Sequence, residues 1–551
     1  MAQQHGELLK LDILRGALPQ LGEKNDHLIR RSPIFRNSKY LQDLAYSALR
    51  LLQMPMRAQI PRSYLEESRA LAKATGLPLG LVEQTSLQAD TFVLILRYAM
   101  GKYLMRHLKR SPGLPGCTSV AALAQHTSNG SLLHARNMDY PSIGFWDQYP
   151  TVMYMDPDQG QRVIGVATAG IHTVGVTGLN ESGITLSTHF HCTKRVSMFG
   201  TPIHIIGSEA LRRSKTIGQF IDIISEFDRA GSWSMVVSSA RENKAMVLEM
   251  VHGDLVLRDA DTTGGLLANT NMYRDEKLHR DEVMLSPSVA DDFHHRFNRA
   301  MDMLQMALKN SGKISPATCA AVLGDHFDMA SGKVRAQGNT ISVITTVTSM
   351  ISQAGENKFW VASRGESPVC LGDYVEFRID ENFADFEKLE PQILTWKSST
   401  SIRDTEKQQA FSFFRKAYMA FHNDDSEKEC RAYLDAATQL DAEEGNYWLA
   451  MGHMEMRLGN ADAALTSLGR AMKCSLGKHM GQACALYTAH CYDVLNQREK
   501  ALAIYKDLAN DETLSPQIKA EAKRCTKKPF DIKRAHNLAL DLQFCDSLEY
   551  A

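Results

Sequence analysis

At Ser111–Gly116 the chain reads SPGLPG, a run of breakers that neither a helix interior nor a central strand tolerates. The texture differs on its two sides. Before it, YLEESRALAKATGLPLGLVEQTSLQADTFVLILRYAM places apolar residues three and four apart, which predicts helices up to about Leu108, with Gly76 and Pro78 marking a turn. After it, from Cys117, short runs rich in Val, Ile, Thr and Leu predict strands: TSVAALAQ, GSLLHARNM, RVIGVATAG, HTVGVTGLN and GITLSTHFH. SWSMVVSSA, KAMVLEMV and DLVLRDA continue the series, with ENK and HGD as turns, and TISVITTVTSMI, NKFWVAS and DYVEFRID close it. Helices are expected at Leu211–Phe227 and from Phe293 to about Leu323. This mixed order predicts an α+β layered sandwich rather than a βαβ alternation.

Past Thr395 the strand texture stops. Aligning Phe411 with Gly445 gives a period of 34, the length of a tetratricopeptide repeat. Trp448, Gly452, Gly459, Ala464 and Ala471 take the expected bulky and small positions of the second copy. Cys430 and Ala437 do so in the first, and Ala489 and Ala501 in the third. The expected domains are a helical segment over 1–116, a sandwich over 117–395, repeats over 405–525 and a final helix and tail over 526–551. Repeats contact chiefly their neighbours, so a chain cut after about Thr400 is expected to leave a folded sandwich.

With 62 basic and 63 acidic side chains the formal charge is -1, which supplies no electrostatic footprint for nucleic acid. An apolar fraction of 44% is ample for packed cores. Ten scattered cysteines without a CxxC pair read as reduced thiols, not a zinc ribbon. MAQQHGELLKLDILRGALPQ lacks the apolar core of a signal peptide, and Arg97 interrupts TFVLILRYAM, which is too short to span a bilayer. A soluble cytoplasmic protein is expected.

Among the cysteines, Cys117 has a distinctive context. It follows Gly116 at the end of the breaker run and opens the first strand. If the peptide bond before it is cut, Cys117 carries both a thiol and an α-amine, whose unperturbed pKa of about 7.7–8.0 suits a base at neutral pH. ARNMDY, Ala135–Tyr140, ends the next strand, where Arg136 and Met138 share one face and Asn137 and Asp139 the other. A guanidinium near sulfur favours thiolate, and a carboxylate near the amine orients it. The plainer alternative is a surface Arg136–Asp139 ion pair. GLNESG, Gly178–Gly183, offers the Asn180 amide to a developing oxyanion, or is simply a hairpin turn.

Cys-Thr-Ser, then RNMDY, then GLNESG resembles, in this order, the N-terminal-nucleophile hydrolases of the choloylglycine hydrolase and penicillin acyltransferase type. The resemblance runs from Met1 to about Asp380 and is greatest to the acyl-CoA:6-aminopenicillanate acyltransferase branch (the peptidase C45 type). It implies a four-layer αββα sandwich, self-cleavage at Gly116–Cys117, and chemistry on acyl amides or acyl thioesters with no metal or organic cofactor. It implies Cys117 as nucleophile, Arg136 and Asp139 beside it, and Asn180 in the oxyanion hole. A further Asn falls in LLANTNMYRD, where Asn271 fits best and Asn269 competes. A late Arg is Arg296 or Arg299 in HHRFNRA, with Arg296 preferred.

His189, His191 and Cys192 invite a metal reading, but no second ligand cluster accompanies them, and strand packing is the simpler account. Cys484 and Cys491 read as small packing residues between repeats. The competing function is an inactive sandwich whose repeats bind a partner protein. Cys117, Arg136, Asp139 and Asn180 occurring together favour the enzyme.

Overall fold

The computed structural model describes residues 1–22, 38–95, 97, 113–283, 286–380 and 390–547. The expected helix between 98 and 108, and the first two residues of the breaker run, lie outside them. Helices Ala2–Leu8, Lys10–Arg15, Lys39–Ala58, Arg62–Thr75 and Leu79–Leu94 precede the first strand. Gly76, at φ 82°, closes one helix in the left-handed conformation that only glycine adopts without strain, and the next starts after Pro78. This segment docks through buried polar contacts. Tyr64 donates to Glu209 at 2.9 Å, and the Asp90 carboxylate accepts from Ile203 N at 2.9 Å and Trp233 Nε1 at 2.8 Å.

Two antiparallel sheets form the centre. Strands β1 to β10 are Gly116–Ala122, Leu133–Asp139, Pro150–Met155, Val163–Thr168, Thr177–Asn180, Ile184–Phe190, Trp233–Ser239, Lys244–Val251, Asp254–Asp259 and Leu266–Asn269. Strands β11 to β14 are Thr346–Gln353, Lys358–Ala362, Tyr374–Arg378 and Ile393–Leu394. One sheet has the order β10-β1-β2-β11-β12-β13-β14, the other runs β3 to β9 in sequence order. Helices Ile203–Arg213 and Ile217–Ser225 pack on the second sheet, and Pro287–Ser311 and Pro316–Leu323 on the first. Covered on both faces, β2 is buried at all seven positions, so His134, Arg136, Asn137 and Asp139 must all find polar partners inside. Between the sheets His134 bonds Ser187 and Ser238, each at 2.9 Å, and Ser119 bonds His189 at 2.8 Å.

Several expectations need correction. The helix expected at Leu211–Phe227 is two, because Thr216 leaves the helix to cap the second through Gln219 N. The helix expected from Phe293 starts at Pro287 and stops at Gly312, where φ is 72°, before Ser315 caps another. Strands β3 and β10 had no clear signal: β3 is a half-exposed edge opening on proline, and β10 has only four residues. The final helix is one turn, Ile532–Ala535, and the segment after it forms a small hairpin, Leu540–Asp541 against Asp546–Ser547.

Between Lys407 and Lys527 the secondary structure is helical. Helices Lys407–His422 and Glu427–Leu440 pack together, as do Gly445–Arg457 with Ala461–Lys473 and Lys478–Val494 with Arg498–Asn510, and Pro516–Lys527 follows. The small residues act where close approach demands them: a β-carbon on Gly452 would stand 2.8 Å from Leu468 side-chain atoms. Cys484 and Cys491 are fully buried in this packing.

These helices do not stand apart from the sandwich. Phe411, Phe414, Tyr418, Phe421, Tyr447 and Met454 belong to its principal core cluster. Arg335 and Glu444 form a buried ion pair at 2.6 Å across the junction, and Arg415 meets the buried Asp147 at 3.3 Å. The expectation of a separable repeat unit is therefore revised. Cutting after Thr400 bares this apolar surface and takes Glu444 away from Arg335. The truncated chain is expected in the insoluble fraction. Recovery of a soluble fragment with a cooperative melt would show that the sandwich needs no cover there.

Candidate active site

Cys117 is the second residue of β1, paired with Met138 of β2, and is 4% exposed. Its sulfur points between the sheets. Arg136 Nη2 donates to Sγ at 3.1 Å and to Thr188 O at 2.7 Å, and Sγ lies 3.6 Å from the same carbonyl. Arg136 Nη1 donates to Thr177 Oγ1 at 2.5 Å and to Val176 O, while Nε has no partner. Two strands of the second sheet thus hold the guanidinium against the sulfur. Burial pushes the Cys117 thiol up, and the Arg136 charge opposes that.

The main chain of Cys117 is read from the other side. Its N–H donates to Asn271 Oδ1 at 2.7 Å, and its carbonyl accepts from Arg296 Nη1 at 2.8 Å. Arg296, on the helix Pro287–Ser311, also donates to Thr118 Oγ1 at 2.8 Å, Asn271 Oδ1 at 3.2 Å and, through Nε, to Asp292 at 2.8 Å. Asp139 sits opposite Gly116 in the β1–β2 register. Its Oδ1 accepts from Thr346 Oγ1 at 2.7 Å; its Oδ2 has no hydrogen bond and lies 3.7 Å from Arg296 Nη1. Burial pushes the Asp139 pKa up to about 6, against the pull of Arg296. The result is a thiol, two guanidiniums, a half-paired carboxylate and an amide around one peptide bond, Gly116–Cys117.

Residues 126–360 match one family. It is described as acyl-coenzyme A:6-aminopenicillanic acid acyl-transferase. The match begins after Cys117, spans less than half of the chain, and takes in Arg136, Asp139, Asn180, Asn271 and Arg296. It supports an enzyme acting on carbon–nitrogen bonds by acyl transfer or hydrolysis. No curated protein matches the chain. Among solved structures, the Caenorhabditis elegans ortholog of N-acylethanolamine-hydrolyzing acid amidase is 17% identical over 43% of this chain and 93% of its own, with a TM-score of 0.31. A mutant conjugated bile acid hydrolase from Clostridium perfringens is 13% identical over 51% of this chain and 98% of its own, with a TM-score of 0.34.

Within the matched region the two members of each close choice have different surroundings. Asn271 touches Cys117, whereas Asn269 bonds Ser234 at 2.9 Å and accepts from Arg258 at 2.8 Å. Arg296 touches Cys117, whereas Arg299 pairs with Asp325 and Asp302. The surface Arg136–Asp139 pair does not exist: both are buried on opposite faces of β2, and Asp139 faces Arg296. Asn180 is the clear correction. Its Nδ2 donates to Leu211 O at 2.9 Å and Ser214 O at 2.8 Å, and its Oδ1 accepts from Ser182 N and Ile184 N. Both N–H bonds are spent on main-chain carbonyls, so no donor remains for an oxyanion; the residue closes the turn and ties it to the helix Ile203–Arg213. Asn180→Ala is expected to lower the melting temperature, losing about 2–4 kcal/mol from four buried bonds, while leaving the cleavage state of the folded fraction unchanged. Intact mass beside thermal denaturation checks this, and a well-folded, uncleaved variant would return Asn180 to the site.

The metal reading of His189, His191 and Cys192 finds other partners: Ser119 for His189, Ser234 for His191, and Tyr273 stacked on His191 at 4.0 Å. Among the described residues His490, Glu521 and Cys525 lie close enough to share an ion, but Glu521 is already engaged by Arg524 and Arg534. No described helix is long and apolar enough to cross a membrane. Sequence reasoning missed Asp292 and Thr346. Asp292 was findable, four residues before Arg296 on a helix; Thr346 carried no local signal.

Proposed function

We propose that the chain is a self-cleaving cysteine hydrolase or acyltransferase of the N-terminal-nucleophile type, acting on small acyl amides or acyl thioesters through Cys117. The observation that carries this reading is the convergence of Arg136, Asp139, Asn271 and Arg296 on the two residues of one peptide bond. In the precursor the Cys117 thiol gives up its proton to the Asp139 carboxylate, whose charge is felt at the sulfur and whose pKa burial raises to about 6. The thiolate attacks the Gly116 carbonyl, the C–N bond breaks, and the nitrogen takes up the thiol's proton from Asp139 and leaves as the neutral α-amine of Cys117. Water then hydrolyses the Gly116 thioester, freeing the Gly116 carboxylate and the thiol.

In the cleaved protein the new amine takes the position of the Cys117 N–H, facing Asn271 Oδ1. It accepts the thiol proton, and the thiolate attacks the acyl carbon. The amine then hands that proton to the leaving group, and water or an acceptor amine takes the acyl group from sulfur. The helical pairs after Lys407 are read as tetratricopeptide-like repeats that hold one wall of the sandwich and leave their outer surface for a partner protein.

The test is intact mass and turnover. Purified protein is expected to separate on denaturation into residues 1–116 and 117–551. It is expected to hydrolyse members of a chromogenic acyl-amide panel, to be stopped by thiol alkylation and to be indifferent to chelators. A single uncut chain without turnover would sink the reading, and EDTA inactivation reversed by zinc would redirect it to a metal.

A further inference from the structure

Self-cleavage and turnover use the same sulfur from the same side, so a substrate acyl carbon must stand where the Gly116 carbonyl carbon stands. The path of residues 113–116 is then a cast of the acyl site. Three points along it are informative. A β-carbon on Gly116 would lie 3.0 Å from Asp139 Oδ2 and 3.5 Å from Arg296 Nη2, and both side chains are pinned, by Thr346 and by Asp292. Leu114 is fully buried in the principal core. At the far end, a β-carbon on Gly113 would stand 2.3 and 2.9 Å from Pro141 side-chain atoms, with Tyr418 Oη next at 3.7 Å. Tyr418 comes from the helix Lys407–His422; it is 1% exposed, and its hydroxyl has no hydrogen-bond partner.

We infer that the acyl group is unbranched at its α-carbon, apolar along its middle, and carries a hydrogen-bonding group at its far end for Tyr418. This rests on the proposed function, which supplies the shared sulfur. Three residues of extended chain separate the two ends by at most about 10 Å, the reach of an acyl chain of roughly eight or nine carbons. The C-terminal helices then form part of the acyl site, with Tyr418 as a specificity residue.

The probes are nonanoate, 9-hydroxynonanoate and the two enantiomers of 2-methylnonanoate, titrated by calorimetry into cleaved full-length protein. Nonanoate is expected to bind at least about tenfold more tightly than one 2-methyl enantiomer, the usual cost of a misplaced methyl group. The 9-hydroxy acid is expected to bind more tightly than nonanoate. Tyr418→Phe is expected to reverse that order, because it removes the donor and leaves the groove apolar. Equal binding of branched and unbranched acids, no binding, or an unchanged order in Tyr418→Phe would overturn the inference. Selective binding without amide turnover would remove the proposed function and leave the acyl site standing. Turnover without selectivity would do the reverse.

Discussion

Cys117→Ala is expected to remain one 61.5 kDa chain on a denaturing gel and to lose turnover by at least about a thousandfold. Two roles disappear with one atom. No thiolate forms to attack Gly116, so no α-amine appears, and no nucleophile is left for a substrate. The fold is expected to survive, because Arg136 keeps Thr177, Val176 and Thr188 when the sulfur is lost. A buried Cys→Ala change of this kind costs about 1–2 kcal/mol. A variant that still separates into two fragments would show that an external protease makes the cut. A variant that stays whole but turns over substrate would remove Cys117 from the chemistry.

How far the sequence reaches is clearest at the two close choices. Asn269 and Asn271 are two apart, so they share a strand face, and alternation cannot tell them apart. What separates them is where β10 stops: Asn269 is its last residue, held by Ser234 and Arg258, and Asn271 lies beyond the end, free to reach across to Cys117. Arg296 and Arg299 are three apart on one helix face, and carboxylates decide between them. Asp325, from the loop after the next helix, captures Arg299, and no local pattern announces it. The strands around Cys117 were legible because short runs rich in Val, Ile, Thr and Leu, bounded by Gly and Asn, leave little alternative. Asn180 misled because G-x-N-E-x-G serves a turn and an oxyanion hole equally well as a string. Only the Leu211 and Ser214 carbonyls, more than thirty residues away, show which use applies. The helices after Lys407 were legible one by one, but their burial against the sandwich was not, since Arg335 and Glu444 are remote in sequence and alike in both readings.

Asp139→Asn separates stability from chemistry at one atom, and pH sets the sign. Burial holds the Asp139 pKa near 6, above the usual carboxylate range. The folded chain therefore binds this proton more tightly than the unfolded chain does. The stability it contributes is complete below about pH 4 and is lost as pH rises through about 6. An Asn does not ionise. Compared in a Cys117→Ala background, where both proteins stay uncut, Asp139→Asn is expected to melt no lower than Asp139 at pH 7, and higher by up to about 2–3 kcal/mol of stability. That advantage is expected to fade by about pH 4. With Cys117 restored, the same change is expected to slow self-cleavage and turnover by roughly ten- to a hundred-fold, because the amide neither takes the thiol proton nor holds an ammonium, a charge-assisted contact worth about 1.5–3 kcal/mol. A carboxylate kept for structure gives the opposite pair of results: a lower melting temperature at pH 7 and normal cleavage. Arg296 keeps Asp292 in either protein, so its position is not what the variant tests. Normal cleavage with near-normal turnover would take Asp139 out of the reaction and leave the precursor without a base near Gly116.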